Sequence, residues 1–329
     1  MNSFIKPLKI GSFTCPSNLV LAPMAGITDT PFRILCIKGG AGLVCAEMVS
    51  AAALQFNSPK SIKMLKTDKA EHPLCMQVFG ANASAVADAC KRAEQQGADI
   101  IDINAGCPVK KVNKSGAGCV LMKMPEKIAE ILTAAVKSVK VPITLKTRVS
   151  LNRTENLAPL LTKIAQDSGA AAITLHARAA VDVHSGPPNL AFLESACKVA
   201  KIPVIANGGI LNAQDAKAMF ETGAQAVMIG RGAIGNPFIF TEITHTLKGE
   251  NFQTVSNTQK VEMFLNLVEE NVKFYGERTG ISRSKKTVGY WLRGFADAAC
   301  VREKFVRCES LSQVKEILLK AIKENNNLL

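Results

Sequence analysis

Short apolar runs recur along the chain, and most are followed by a stretch whose apolar positions repeat every three or four residues. The runs are NLVLAPM (18–24), GLVCAEM (42–48), PLCMQVF (73–79), DIIDINA (99–105), PITLKTR (142–148), AAITLHA (171–177), PVIANGG (203–209) and AVMIGRG (226–232). Among the stretches between them are ASAVADACKRAEQQG, PEKIAEILTAAVKSV, NLAPLLTKIAQDSG and NAQDAKAMFETG. The runs have the look of buried strands and the stretches that of amphipathic helices. Gly97, Gly169 and Gly223 stand where three helices must end in a left-handed cap before the next strand. Strand and helix alternating across short connections make a parallel sheet. Eight such units predict a closed (β/α)8 TIM barrel rather than an open doubly wound sheet.

The alternation stops near residue 247. A polar stretch, KGENFQTVSNTQ, follows as a linker, and beyond it KVEMFLNLVEENVKFYG, SKKTVGYWLRGF and LSQVKEILLKAIKEN all have helical period. The expected organisation is therefore a barrel over residues 1–247 and a C-terminal all-α helical domain over 257–329. Composition adds an electrostatic fact. The 329 residues carry 40 Lys and Arg against 27 Asp and Glu, a net charge of +13. The tail from 251 onward holds thirteen Lys and Arg against nine Asp and Glu. Such an excess suits an anionic partner such as nucleic acid, nucleotide or a membrane surface, and is silent about fold.

No apolar run approaches the roughly 18 residues of a membrane span, and MNSFIKPLKIG has no signal-peptide core. The ten cysteines are scattered, with no CxxC pair and no Cys/His cluster at zinc spacing, so no metal site is expected. These points predict a cytoplasmic protein with reduced thiols and no stable protein partner, a monomer.

Chemistry in such a barrel gathers at the C-terminal ends of the strands. Gln77 and Asn104 sit late in their strands, Lys146 and Arg148 alternate on one face of the next, and His176 and Arg178 repeat that pattern. Each alone could be a paired interior group, whereas polar strand ends in series point to a site. IANGGI (205–210) and IGRGAIGNP (229–237) follow strands 7 and 8, where barrels commonly bind phosphate. The second holds a GxGxxG at Gly230, Gly232 and Gly235. A dinucleotide fold would need a further strand with an acidic residue about 20 positions on, and the chain instead runs into a helix and the linker.

DINAGCPVKKVNKSGAG (102–118) ends a strand at Asn104 and turns at Gly106–Cys107–Pro108 into a loop bearing Lys110, Lys111 and Lys114. A buried cysteine is structural by default. Cys107 differs by its place at the catalytic rim, where a thiol can act as nucleophile or as general acid.

In this order, LAPMAGITDTPFR, DINAGCPVKKVNKSGAG, LKTR, HAR, VIANGGI and MIGRGAIGNPFIF resemble the tRNA-dihydrouridine synthases, flavin enzymes, of the B-type bacterial branch. The match runs from about residue 10 to 245, and the YG…SKKTVGYWL segment of the tail agrees in position. The resemblance implies an FMN-bearing barrel that reduces uridine in tRNA to 5,6-dihydrouridine, with NADPH reloading the flavin. By position, Pro23, Met24 and Ala25 would lie against the flavin, Gln77 would hydrogen-bond its ring and Lys146 would stabilise negative charge on it. His176 would line the same site, and Asn207, Gly208, Gly209, Gly230 and Arg231 would hold the phosphate. Asn104 and Arg178 would face the uracil, and Cys107 matches the proton donor. Hydride would add at C6 and the thiol proton at C5, a general-acid step typically contributing 10²–10⁴-fold. Lys285, Lys286 and Arg293, spaced to share a helix face, would contact tRNA phosphates.

The chain departs from the family pattern at several points. Val149–Ser150–Leu151 stands where a Gly–aromatic pair is usual, Ala179 where Thr is usual, Gly209 where Asp is common and Thr287 where His is frequent. Loop 179–189 lacks the usual Gln and aromatic and carries His184. These changes bear on the RNA substrate more than on the redox chemistry. Two other readings use the same residues: an FMN barrel oxidoreductase acting on a small molecule, and a flavin-containing RNA-binding protein without tRNA turnover. The basic tail and the GCPVKK loop count against the first.

Overall fold

A computed structural model describes residues 4–295 and 297–326. Each of the eight apolar runs contains a strand. They are β1 (Leu19–Leu21), β2 (Leu43–Cys45), β3 (Leu74–Phe79), β4 (Ile100–Asn104), β5 (Ile143–Arg148), β6 (Ala172–His176), β7 (Val204–Asn207) and β8 (Ala226–Ile229). Neighbours pair in parallel in chain order, and Met228 opposite Val20 joins β8 to β1, closing the barrel. The two-residue strand Val49–Ser50 lengthens the sheet beside β3.

Alternation along the strands divides the side chains into two cores. Leu19, Leu21, Ile101 and Ile103 face outward into the layer between strands and helices. Val20, Ile100, Ile205 and Met228 face inward, where Leu8 and Ile10 of an N-terminal hairpin (Leu8–Ile10 with Phe13–Cys15) pack against them. The hairpin plugs the N-terminal end of the barrel, so the inward positions nearer the other end are left to polar residues.

Seven longer helices flank the strands: α1 (Thr30–Lys38), α2 (Ala83–Gln95), α3 (Pro125–Ser138), α4 (Ala158–Asp167), α5 (Leu190–Val199), α6 (Ala213–Glu221) and α7 (Ile239–Lys248). Two short helices, Ala51–Gln55 and Pro59–Met64, fill the connection after β2. The expected left-handed glycines are found, with φ of +95° at Gly97, +86° at Gly169 and +92° at Gly223.

After α7 the chain is irregular until Ser256, whose side chain and that of Gln259 form a capping box for α8 (Asn257–Tyr275). The tail continues as α9 (Glu277–Ser284), α10 (Val288–Trp291), α11 (Ala298–Arg307) and α12 (Leu311–Asn326). Its core is aromatic: Phe264 stacks on Trp291 at 5.5 Å and tilts against Phe305 at 5.2 Å. Arg283 ties the tail to the barrel, donating from Nε to Asp29 at 2.8 Å and from Nη2 to Glu47 at 2.6 Å. The other Glu47 oxygen accepts the Gly26 N–H at 2.9 Å, so the tail is braced against the loop that follows β1.

Sequence period predicts one helical face carrying Lys285, Lys286 and Arg293. The structure instead ends α9 at Ser284, and the two lysines lie in the turn before α10. Val288 and Trp291 are buried, and seating them in the aromatic core breaks the helix. The three cations still converge, on one wall of a shallow pocket of about 360 Å³ that Arg302 joins.

Candidate active site

A cavity of about 670 Å³ opens at the C-terminal ends of the strands. Pro23, Met24, Ala25, Gln77, Asn104, Cys107, Lys146, His176, Arg178, Asn207, Gly208, Gly209, Gly230 and Arg231 all line it. Tyr290 and Arg293 reach it from the tail, whereas Lys285 and Lys286 face the neighbouring pocket.

A chain of hydrogen bonds sets one wall. Asp102, buried inside the barrel, accepts from Thr144 Oγ1 at 2.6 Å and from Gln77 Nε2 at 2.7 Å. This orients the Gln77 amide, whose Oε1 accepts from Asn104 Nδ2 at 3.0 Å. Asn104 Oδ1 in turn accepts the backbone N–H of Gly106 at 3.2 Å and of Cys107 at 3.1 Å. Burial pushes Asp102 up to about 6, opposed by the bonds from Gln77 and Thr144 and by the charge of Lys146.

From the neighbouring strand β5, where it stands beside Asn104, Lys146 Nζ donates to Asn207 Oδ1 at 2.9 Å, and Asn207 Nδ2 donates to the Met228 carbonyl at 2.7 Å. Burial pulls Lys146 down to about 8, with Asp102 resisting and Arg148 adding to the shift. Burial, then Lys146, Arg148 and Arg178, hold His176 neutral, far below its ordinary value. The Cys107 thiol is half-buried and raised, chiefly by burial, although the Val109 N–H and Arg148 favour its thiolate. A raised thiol stays protonated at neutral pH, which is the form an acid needs and a nucleophile does not. Lys110, Lys111 and Lys114, close to Cys107 in sequence, are exposed, and the cation that acts on the thiol is Arg148.

Glycine is required after β7. Gly208 and Gly209 have φ of +119° and +83°, and a Cβ on Gly209 would lie 3.0 Å from Arg178 Nη2. Arg178, expected at the uracil, packs on this loop, with Nη1 3.5 Å from His176 Nε2. In the GxGxxG segment the reasons differ. Gly230 lines the cavity, Gly232 leaves room for the Ile210 carbonyl, and Gly235, at φ +79°, leaves room for the backbone of Tyr290.

Asp102 and Tyr290 lay outside the residues singled out from sequence, and Arg148 was read there only as a polar strand end. Asp102 shares the inward face of β4 with Asn104, a period-two signal that was available. Arg148 is 2% exposed and donates only to backbone carbonyls, of Gly106 at 2.9 Å, Ala179 at 3.0 Å and Val183 at 2.7 Å among them. Tyr290 depends on the docking of the tail and had no local signal.

Comparison with known proteins agrees with this geometry. The family model described as dihydrouridine synthase (Dus) matches residues 20–327. The chain belongs to the dihydrouridine synthase family. Within the family it is 38% identical over 304 residues to the tRNA-dihydrouridine synthase B of Pseudomonas aeruginosa, 92% of each chain. It is 39% identical over 297 residues to the probable tRNA-dihydrouridine synthase of Rickettsia conorii, 89% of each. The solved old yellow enzyme from Trypanosoma cruzi shares the fold at a TM-score of 0.57 and 12% identity, over 78% of this chain and 95% of that one. Family membership makes the protein an oxidoreductase, and no helix among the described residues is long and apolar enough to cross a membrane.

Proposed function

We propose that the protein is an FMN-dependent tRNA-dihydrouridine synthase that draws its electrons from NADPH. The observation that carries this reading is the meeting of Cys107, Lys146 and the β7 and β8 glycine loops around one cavity in a chain of this family. The cavity lies in the range of roughly 300–1,000 Å³ typical of ligand sites. Its donor set also suits FMN. Lys146 faces the cavity with an amide as its hydrogen-bond partner, and the Gly208–Gly209 backbone beside Arg178 and Arg231 suits a phosphate. Pro23, Met24 and Ala25 supply an apolar wall, Gln77 a fixed amide, and neutral His176 a ring nitrogen. Arg178 joins the phosphate group in this scheme, and Asn104 remains to face the uracil.

FMN, when bound, supplies the hydride that adds at uracil C6. The chain does the rest. The Cys107 thiol gives its proton at C5 from a position set by Asn104, and Lys146, on the neighbouring strand, offsets negative charge in the cavity. The uracil must leave its RNA stack to come so deep. Lys285, Lys286, Arg293 and Arg302 stand beside the mouth with no ion-pair partner among the described residues, placed for phosphates of the flanking nucleotides. On this reading residues 1–247 form the catalytic domain and 257–329 the tRNA-binding domain.

The test is direct. The purified protein should be yellow with one FMN, and tRNA from a deletion strain should lose dihydrouridine at one or more positions by mass spectrometry. A colourless protein that takes up no added FMN, or an unaltered dihydrouridine content in both tRNA and rRNA, would reject it.

A further inference from the structure

His184 lines the cavity, yet it has no part in the scheme above. It belongs to the loop after β6, which is held by four arginines. Arg148 donates to the carbonyls of Ala179 and Val183, and Arg153 Nε pairs with Asp182 at 2.7 Å. Arg178 Nε donates to the Gly186 carbonyl at 2.8 Å, and Arg231 Nη2 to the carbonyl of His184 itself at 3.2 Å.

Between these clamps the chain turns sharply, with the Ser185 N–H donating to the Asp182 carbonyl at 2.9 Å. Val183 occupies the turn at φ +51° and ψ −84°. Positive φ is rare for a β-branched residue, and turns that demand it there ordinarily use glycine. Backbone strain of this kind persists only where the surroundings over-determine it, and it concentrates at functional sites. Burial does not explain the order, because Val181 and Val183 are 65% and 48% exposed.

What the clamps and the turn achieve is the placement of His184. Its ring stands at the cavity mouth, centroid 6.0 Å from that of His176, and neither nitrogen is bonded within the described residues. His176 is half-buried and His184 exposed, so His184 lies on the outer, solvent-facing side of the cavity. We propose that His184 is a specificity-determining residue that contacts the target nucleotide, its imidazole serving as hydrogen-bond partner to the base or ribose. The inference rests on the functional reading above. Partial desolvation at the cavity rim, where one side of the otherwise exposed ring is covered, and the positive charges of Arg148, Arg231, Arg178 and Lys146 lower its pKa, so the ring is neutral with one donor and one acceptor to offer.

His184→Ala and His184→Gln test this in the full-length holoenzyme, and neither removes buried surface. FMN affinity, measured by fluorescence titration of the apoprotein, should match wild type in both. With tRNA, kcat/KM should fall roughly 10-fold or more in His184→Ala, the worth of one well-placed hydrogen bond. His184→Gln should recover most of that loss, and the distribution of dihydrouridine over tRNA positions should shift in the Ala variant. A loss of FMN affinity as large as the loss in kcat/KM would make His184 a cofactor ligand and overturn the proposal. Wild-type kinetics and an unchanged position profile in His184→Ala would overturn it equally. A wild-type protein that neither binds FMN nor reduces RNA would fail at an earlier point, taking the functional reading with it.

Discussion

The loops after β4 and β6 share one guanidinium but are fixed by different means. The β4 loop is held mainly from within: Asn104 Oδ1 takes the N–H groups two and three residues on, and Arg148 adds one bond to Gly106. The β6 loop has a strained turn and depends mainly on partners 29 to 47 residues away, Arg148, Arg153 and Arg231, with Arg178 adding one bond from within. A locally fixed loop travels with its motif, so the residues that shape it can be read as a string. A remotely fixed loop can change its own sequence freely provided its clamps remain.

The sharpest test of this contrast is Cys107→Ala, because the β4 loop would carry chemistry as well as shape. FMN binding and flavin reduction by NADPH should survive, while single-turnover oxidation of the reduced enzyme by tRNA slows roughly 10²-fold or more. Full-rate turnover in the variant would move the proton donor elsewhere.

Arg148→Met should come next in size and should separate the two loops. Methionine fills most of the volume and donates nothing, leaving several carbonyls without their partner. A loss of about 3 kcal/mol is expected in chemical denaturation. Amide hydrogen exchange should rise over 179–186 far more than over 104–107, since the second segment keeps Asn104. Equal loosening of both loops would break the comparison.

The same distinction explains what could be read from the sequence. The eight strands and the caps at Gly97, Gly169 and Gly223 depend on local period and backbone preference, and the structure has them all. The polar strand ends Gln77, Asn104, Lys146 and His176 converge on one cavity because period two fixes which face they share. What stayed hidden depends on distant packing. Lys110, Lys111 and Lys114 lie close to Cys107 in sequence, but the cation that acts on the thiol comes from β5. Helical period suggested a continuous face through Lys285 and Arg293, but the burial of Val288 and Trp291 bends the chain there. Gly232 and Gly235 fit a nucleotide motif on paper, and each in fact makes room for backbone from another part of the chain.

The smallest expected effect belongs to Val183→Gly, and its sign is the informative part. Holding a β-branched residue at φ +51° costs on the order of 1–3 kcal/mol. Glycine removes that cost but loses roughly 1 kcal/mol more entropy on folding. The apolar burial lost is partial, because the valine is 48% exposed. The bond from Arg148 Nη2 goes to the main-chain carbonyl and survives the substitution. The balance predicts a net gain of about 1 kcal/mol or less, a rise in Tm of roughly 2 °C for a chain of this size. Thermal unfolding monitored by circular dichroism would register it. A stabilised variant would mean that the clamps impose the turn against the preference of its own residue. A lower Tm would mean that the valine contributes more than the backbone loses, and that the β6 loop, like the β4 loop, is shaped from within.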